Sequence, residues 1–310
     1  MIVYFKLALK KICVQRCFFI FLFIFLYVKN VSAYIEDNGT KPLYEFGAGL
    51  GYIELEHYPA SNQFTWLVLP FPTFQYRGEI LRADDREGAR AYMLKESWWS
   101  FDFSGNIWPA LSSADDVARK GMPNLPWVLA LGPQLVLDFS ETVQSRWSVF
   151  QAISSDFSVT KTNGAYFDAR VLYKWSNEIS WLHKGLSVGN ITLSLQVASQ
   201  DFLANYFEVN PQYSTPVRPA YAAVGGLLCD ELSIFQSFHS DKAGFYFGGY
   251  WDNYDVSANR QSPLHRSDHN LTFFIGMTYS LFESKEKSYS AEKTEGLINH
   301  YYEKYYDKVK

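Results

Sequence analysis

The chain has 310 residues, of which 18% are aromatic and 19% charged, with a formal net charge of −4 and a mean hydropathy of −0.15. An acidic chain lacks the basic surface that a phosphate backbone requires, which argues against nucleic acid as a partner. Many aromatic and few charged residues exclude a disordered chain. The hydropathy excludes a bundle of transmembrane helices, because each helical span needs about 20 apolar residues.

The N-terminal segment has the organisation of a secretory signal peptide. Lys6, Lys10, Lys11 and Arg16 precede or open an apolar segment at 17–28, and the small residues Val31-Ser32-Ala33 follow it. We predict cleavage between Ala33 and Tyr34. The alternative is an uncleaved anchor helix, for which the apolar segment is short. Cleavage leaves 23 basic and 32 acidic residues, a formal charge of −9, and Cys229 as the only cysteine, so no internal disulfide forms.

Apolar and polar residues alternate with a period of two from about residue 43 to residue 282, which is typical of β-strands. Leu271, Phe273 and Ile275, for example, alternate with Asn270 and Thr272. Segments of roughly 9–13 residues exceed the strands of most soluble sheets and match tilted membrane-spanning strands. The predicted strands cover residues 43–54, 63–71, 74–82, 97–108, 126–139, 146–157, 164–175, 187–199, 218–229, 231–239, 242–251 and 269–282. Residues 63–82 and 218–239 leave two alternatives open, one bent strand or two strands in each.

The pattern predicts an all-β fold, a transmembrane antiparallel β-barrel of about 12 strands (about 10–14) with a closed up-and-down topology. Closure is expected because lipid cannot satisfy the backbone groups of an open sheet edge. The polar face would line the lumen, and aromatic residues at strand ends would lie at the two membrane interfaces. The alternative is a soluble β-sandwich or ligand-binding barrel, which also has one apolar and one polar face.

The predicted barrel spans residues 34–282, with longer connections at 83–96, 109–125 and 252–268. The alternation stops after Phe282. Residues 283–310 carry six acidic and six basic side chains and five tyrosines. With an even strand number, both ends of the barrel lie on the periplasmic side, so we predict a charged, tyrosine-rich periplasmic tail at 283–310.

Three segments carry distinctive motifs, at residues 69–88, 114–135 and 204–226. The first contains a proline-punctuated strand followed by Tyr-Arg-Gly; the second contains Arg-x-Gly-Met-Pro-x-Leu and then Gly-Pro-x-Leu. These segments resemble the MipA/OmpV family (MltA-interacting protein) of Gram-negative outer-membrane proteins over about residues 43–282. The motif residues that we single out are Tyr76, Arg77, Gly78, Arg119, Gly121, Met122, Pro123, Gly132 and Pro133.

We expect these motif residues to shape turns and strand ends, because Pro and Gly occur at rims and bulges of sheets. Arg77 and Arg119 are expected to pair with nearby acids at the rim. The alternative is direct contact with a partner or ligand. The resemblance implies one departure, because a member of the family is expected to end at its last strand, whereas this sequence continues after Phe282.

Catalytic residues are not predicted. The six histidines are scattered, and neither His239 near Ser237 nor His183 near Ser180 has a distinctive neighbourhood for a hydrolase. The pair His265 and His269 has a metal-compatible spacing but lies in a polar loop, so we predict no metal and no cofactor.

The resemblance implies a non-enzymatic scaffold in the bacterial outer membrane. It would link a lytic transglycosylase and a penicillin-binding murein synthase in peptidoglycan synthesis, with outer-membrane lipid around the barrel. The first alternative is a small outer-membrane pore, with the acidic charge giving a weak preference for cations. The second alternative is an outer-membrane lipid hydrolase. Neither alternative involves nucleic acid.

Overall fold

The computed structural model describes residues 41–78, 81–84, 88–96, 98–155, 160–179 and 185–288. These residues form one antiparallel sheet and, among them, one α-helix, α1 (Gln200–Phe207). The strands are β1 (Tyr44–Glu56), β2 (Phe64–Arg77), β3 (Leu81–Asp84), β4 (Gly88–Lys95), β5 (Trp99–Trp108), β6 (Trp127–Asp138), β7 (Val143–Ser155), β8 (Thr160–Ile179), β9 (Gly185–Ala198), β10 (Gly226–His239), β11 (Ala243–Asn253) and β12 (His269–Glu283).

Each strand pairs with its neighbours in sequence, and β1 also pairs with β12, from Glu45↔Glu283 to Ile53↔Phe274. The antiparallel up-and-down order confirms the predicted all-β barrel architecture. One end of the sheet, the turn end, carries the start of β1, the ends of β2, β4 and β8, and the connections 139–142 and 240–242. The opposite end, the loop end, carries the longer connections 57–63, 109–126, 199–225 and 254–268.

The predicted alternation of faces is present in the strands. On β6, Leu129 is 41% exposed, whereas the next residue, Ala130, is fully buried. Successive side chains of a strand point to opposite faces, so the exposed row forms the outside of the wall. Exposed apolar side chains continue this outer surface across the neighbouring strands, among them Val149, Val171, Leu193, Ile234, Phe247, Phe273 and Met277.

Several predicted elements differ from the structure. Residues 63–71 and 74–82 form the single strand β2 followed by β3, and Gly88–Lys95, predicted as part of a loop, form β4. In residues 218–239 the structure has the single-strand alternative, β10. This strand continues through Asp230, which pairs with Leu195 on β9 and with Asn253 on β11. The helix α1 lies in a connection for which no helix was predicted.

The wall between β2 and β5 is incomplete, because the strands between them are short. Among the described residues, β2 pairs with β3 only through Tyr76↔Ala83 and Arg77↔Arg82. β3 has 4 residues and β4 has 8, against 14 in β2 and 10 in β5. At about 3.3 Å per residue, β3 rises about 13 Å, which is too short to span a bilayer core of about 30 Å. The sequence predicted a wall that is closed along the full height of the sheet. The described residues do not form such a wall between β2 and β5.

The sequence of β2 explains why its second edge is left without a partner strand. Arg77 donates its backbone N–H to Leu43 at one end of the β1–β2 ladder, and His57 donates to Gln63 at the other. The register between these points has no shift, so the odd-numbered residues of β2 bond to β1. Pro70 and Pro72 are even-numbered, and their nitrogens, which have no hydrogen, point to the opposite edge.

Candidate functional site

The loop end is covered by a packed domain that we call the cap, formed by the connections 57–63, 109–126, 199–225 and 254–268. Loop side chains and lumen-facing wall side chains form one buried apolar cluster. Its loop members are Tyr58, Ala60, Leu125, Phe202, Leu203, Tyr206, Phe207, Val209, Ala223, Tyr254 and Leu264. Its wall members are Val128, Ala130, Phe150, Ala152, Tyr166, Ala198, Leu228 and Cys229. The cap therefore fills the mouth of the barrel at this end.

The helix α1 anchors the cap to the wall. Ser199 is the N-cap residue, and its hydroxyl accepts a 3.4 Å hydrogen bond from the Phe202 N–H and a 2.9 Å hydrogen bond from the Ala165 N–H on β8. One residue thus satisfies a helix terminus and joins it to a strand. The ring of Phe202 then lies 5.2 Å from Tyr166 and 6.0 Å from Trp108.

Arg119, one of the motif residues, lies inside the cap and is only 3% exposed. Among the described residues it has no acid partner within salt-bridge distance, and its guanidinium lies 5.6 Å from the centre of the Tyr58 ring. Burial lowers its pKa, and the nearby Tyr58 and Asp116 oppose that shift. At 3.3–3.5 Å, its guanidinium donates to Ser113 Oγ and to the carbonyl oxygens of Pro123, Asn205 and Tyr206.

Asp116 organises the loop between β5 and β6. It is fully buried, and its Oδ1 accepts hydrogen bonds from the backbone N–H groups of Ala118 (2.9 Å) and Arg119 (3.1 Å). Its Oδ2 lies 2.9 Å from His57 Nδ1, and the other ring nitrogen of His57 lies 3.0 Å from Thr65 Oγ1. The chain of contacts ties the cap to the first residues of β2.

Beneath the cap, the lumen contains a cavity of about 480 Å³. Four carboxylates lie on its wall, from Glu56, Asp168, Glu231 and Asp252, together with one guanidinium, that of Arg170. Aromatic and aliphatic side chains form the rest of the lining, among them Leu55, Ile107, Trp108, Val128, Phe202, Leu228 and Phe274.

A second lumenal cavity of about 270 Å³ is more basic. Arg146 on β7 and Arg170 on β8 are directly opposite each other, and Lys174 lies further along β8. Like charges in this position destabilise a sheet unless they are neutralised. Asp168 accepts a 2.9 Å hydrogen bond from Arg170 Nε, and Asp138 lies 3.6 Å from the Lys174 ammonium. The lumen is thus polarised between a basic and an acidic cavity.

The Tyr76-Arg77-Gly78 motif lies at the turn end, far from the cap in the fold. Arg77 is 8% exposed and its guanidinium pairs with the Glu45 carboxylate at 2.6 Å. It also donates to the Pro42 carbonyl at 2.9 Å. The expected pairing with an acid is therefore present for Arg77, whereas Arg119 uses carbonyl oxygens and a hydroxyl.

The remaining motif residues act on the backbone. Gly121 has a φ of +83°, a conformation that residues with a side chain rarely adopt. At Gly132 on β6, a Cβ would lie 1.9 Å from the Val149 carbonyl oxygen, so the next strand could not approach as closely. The structure places Met122 against the apolar cluster of the cap and Pro133 in the β5–β6 ladder. The motif residues thus lie in three separate places and form no single site.

The family model described as MltA-interacting protein MipA matches residues 46–281. The chain belongs to the MipA family. This agrees with the resemblance inferred from the motifs, and with the exposed apolar outer surface it identifies an outer-membrane barrel protein. Comparison with curated protein sequences gives no match.

Three solved structures are similar to this MipA family chain. A FadL homologue of Pseudomonas aeruginosa has a TM-score of 0.29 and 8% identity over 78% of this chain and 91% of that chain. OccK8 (OprE) of Pseudomonas aeruginosa has a TM-score of 0.21 and 8% identity over 68% of each chain. OmpT of Vibrio cholerae has a TM-score of 0.22 and 10% identity over 80% of this chain and all of that one. TM-scores this low do not establish a shared fold or a shared function.

The histidines considered for catalysis in this MipA family member occupy different places. His239 Nε2 lies 2.9 Å from Ser237 Oγ, but Ser237 is only 2% exposed and donates to the Val188 carbonyl. His265 contacts Asp268, and His269 stacks on Trp251. The described residues contain no group of three or more potential metal ligands.

Several predicted features lie outside the described residues. These are the cleavage site between Ala33 and Tyr34, the pair of Ser180 and His183, and residues 289–310 of the tail. In the part of the chain that the structure covers, no helix has the length and apolar character needed to cross a membrane.

Proposed function

We propose that this MipA family member is a non-enzymatic scaffold of the outer membrane. Its partners would be a lytic transglycosylase and a penicillin-binding murein synthase, and its membrane anchor would be a barrel of twelve strands surrounded by lipid. The family description, which names an interaction with MltA, supports a murein enzyme as one partner.

The observation that carries the proposal is the arrangement of the turn end. The ladder between β1 and β12 continues past both strands: Leu43 donates its N–H to the Glu286 carbonyl, and Ser288 donates to Lys41, each at 2.8 Å. The segments before β1 and after β12 are therefore fixed side by side. Ser288 lies at this end, beside the short turns that a partner would contact.

The lengths of the connections support a periplasmic turn end. Outer-membrane barrels have short periplasmic turns and longer extracellular loops. The cap would then face the outside, and the turn end would face the murein layer. A partner bound there would be held at the inner surface of the outer membrane.

Proximity is the proposed mechanism. An anchor that binds two enzymes turns their encounter into an event within one assembly, which raises the effective concentration of each for the other. Weak contacts with each enzyme suffice, so a short segment such as 289–310 is enough to form one of them.

The test is co-purification from outer-membrane extract in mild detergent. The tagged full chain should retain both enzymes, and a variant that ends at Ser288 should lose one or both. That variant keeps the Leu43 and Ser288 hydrogen bonds, so the barrel is left intact. The matched control keeps residues 289–310 in scrambled order. Retention of neither enzyme by the full chain would contradict the scaffold.

The cap argues against the pore alternative, because buried side chains occupy the mouth through which a solute would pass. The expected result in planar bilayers is an absence of regular conductance steps. Steps with cation preference would instead support the pore.

A further inference from the structure

An opening in the wall, which we call the lateral window, lies between β2 and β5. One side is the edge of β2 from Phe64 to Phe74, and the other is Ser104–Trp108 of β5, which pairs only with β6 among the described residues. The short β3–β4 hairpin closes the wall only near the turn end. The window thus lies next to the cap.

Two prolines reduce the number of backbone N–H groups on the open edge of β2. Backbone N–H groups without partners are costly in lipid. Pro70 and Pro72 remove two of these groups from this edge. Charged residues are absent from Phe64–Phe74, and the exposed fractions are 68% for Trp66, 63% for Val68 and 47% for Leu69. The rim is therefore an apolar surface at the depth of the membrane.

The large cavity reaches the window. Ile107 belongs to the outer row of β5, opposite Leu129 of β6, and is 65% exposed. The same residue lines the cavity, as do its neighbour Trp108 on β5 and Leu55 on β1. The lining of the cavity therefore includes residues at the end of β5 that has no partner strand on the window side among the described residues. The cap covers the other route into it, from the loop end.

Polar groups on the cavity wall favour a ligand with hydrogen-bond donors. Four carboxylates face one guanidinium, and carboxylates crowded in one site repel each other unless a cation is present. Asp168 Oδ1 and Thr272 Oγ1 have no hydrogen-bond partner among the described residues, although both side chains are only 1% exposed. Buried polar atoms are normally satisfied, which makes these two atoms candidate contacts.

We propose that the cavity binds a membrane amphiphile with an alkyl chain and a protonated amine head, which enters sideways through the lateral window. The alkyl chain packs against Leu55, Ile107 and Trp108, and the amine lies among Glu231, Asp252 and Asp168. The site is separate from the turn end and does not rest on the scaffold role.

The test uses the full chain in phosphatidylcholine nanodiscs with 11-bromoundecylamine as the probe, because bromine quenches nearby tryptophan emission. The signal of Trp108 is the difference between the wild type and Trp108→Phe. We expect saturable quenching of Trp108, at a concentration at least about fivefold lower than for 11-bromoundecanoate, because the carboxylates repel the acid. Trp147, 50% exposed on the lipid face, is the matched control through Trp147→Phe.

A double variant, Glu231→Gln with Asp252→Asn, should lose the preference for the amine and still bind both probes. Quenching of Trp108 that does not saturate, or that only parallels Trp147, would overturn binding in the cavity. If 11-bromoundecylamine and 11-bromoundecanoate reached half-saturation at the same concentration in the wild type, the assignment of an amine head group would be overturned. Both readouts use the wild type with the single variants Trp108→Phe and Trp147→Phe, so they stand even where the double variant does not fold.

Discussion

Strands β2 and β6 are both long and mainly apolar, and they have different surroundings. On β6, Leu129 is 41% exposed and Ala130 is buried, because one face meets the outside and the other meets the cap. On β2, the consecutive residues Val68 and Leu69 are 63% and 47% exposed, so both faces are uncovered. A period of two predicts which residues share a face, and the neighbouring strands and loops determine whether that face is covered.

The comparison shows how the barrel is closed. At the loop end, closure comes from loops that pack to zero exposure, as at Leu203 and Phe207. In the wall, the β3–β4 hairpin is too short to complete the sheet. The cap therefore closes the loop end, through which soluble solutes would enter. The lateral window leaves the wall open on the side from which membrane components would enter.

The largest effect is expected in the cap. Phe207→Ala should lower the free energy of unfolding by about 3–5 kcal/mol, because it empties a fully buried site. Urea unfolding of the chain refolded into lipid vesicles measures this. The control is Phe273→Ala on the lipid face, where the side chain is 53% exposed. Equal losses for the two variants would show that the cap is not a packed unit.

Arg119→Met should cost about 1–3 kcal/mol, because it keeps the volume but leaves buried carbonyl oxygens without a donor. Arg119→Lys is the companion variant and should recover part of the loss, since an ammonium reaches fewer of the acceptors. The same urea titration reports both. A fully stable Arg119→Met would mean that the guanidinium is not needed to hold the cap together.

Ser199→Ala should cost about 1 kcal/mol, because the hydroxyl caps α1 and also accepts from Ala165. Ser199→Asn retains a capping side chain and serves as the control. Hydrogen exchange of the Phe202 amide should rise in the alanine variant alone. If the Phe202 amide were equally protected in Ser199→Ala, Ser199 would not be the link between α1 and the wall.

The smallest effect is expected at the window. Val68→Ala should cost about 0.5 kcal/mol or less, because the side chain is 63% exposed at the open edge and its truncation creates no buried cavity. Ala130→Thr, in the covered part of the wall, should cost about 1–3 kcal/mol by overpacking. If the β2 variant lost more stability than Ala130→Thr in the urea titration, the edge of β2 would be packed against another element.

The sequence predicted the wall well and the site poorly, for physical reasons. Alternation is local, so it identified the lumen and lipid rows, for example along β12 and β9. Strand continuity depends on partners, and Asp230, which lies between two of the predicted strands, pairs with Leu195 on β9 and with Asn253 on β11. The spacing of Pro70 and Pro72 implies an edge with fewer donors, although it was interpreted only as punctuation.

The cap could not be predicted because its contacts join segments far apart in the chain. Asp116 meets His57 across 59 residues, and Arg119 meets the end of α1 across 87. Neither residue has a local pattern that reveals its partner, and His57 was counted only as one of six scattered histidines. The cavity likewise combines β1, β5, β8, β10 and β11, which no single motif spans.

The pairing of β1 with β12 has a consequence for the order of folding. Hairpins such as β11–β12 join neighbouring segments and close short loops, whereas Gly47 pairs with Ser280 near the other end of the sequence. Contacts of such separation form slowly, because a long loop has to close before they contribute. The strand that leaves the ribosome first is thus among the last to satisfy both of its edges, and the irregularity at Phe46/Gly47 lies in that late-forming ladder.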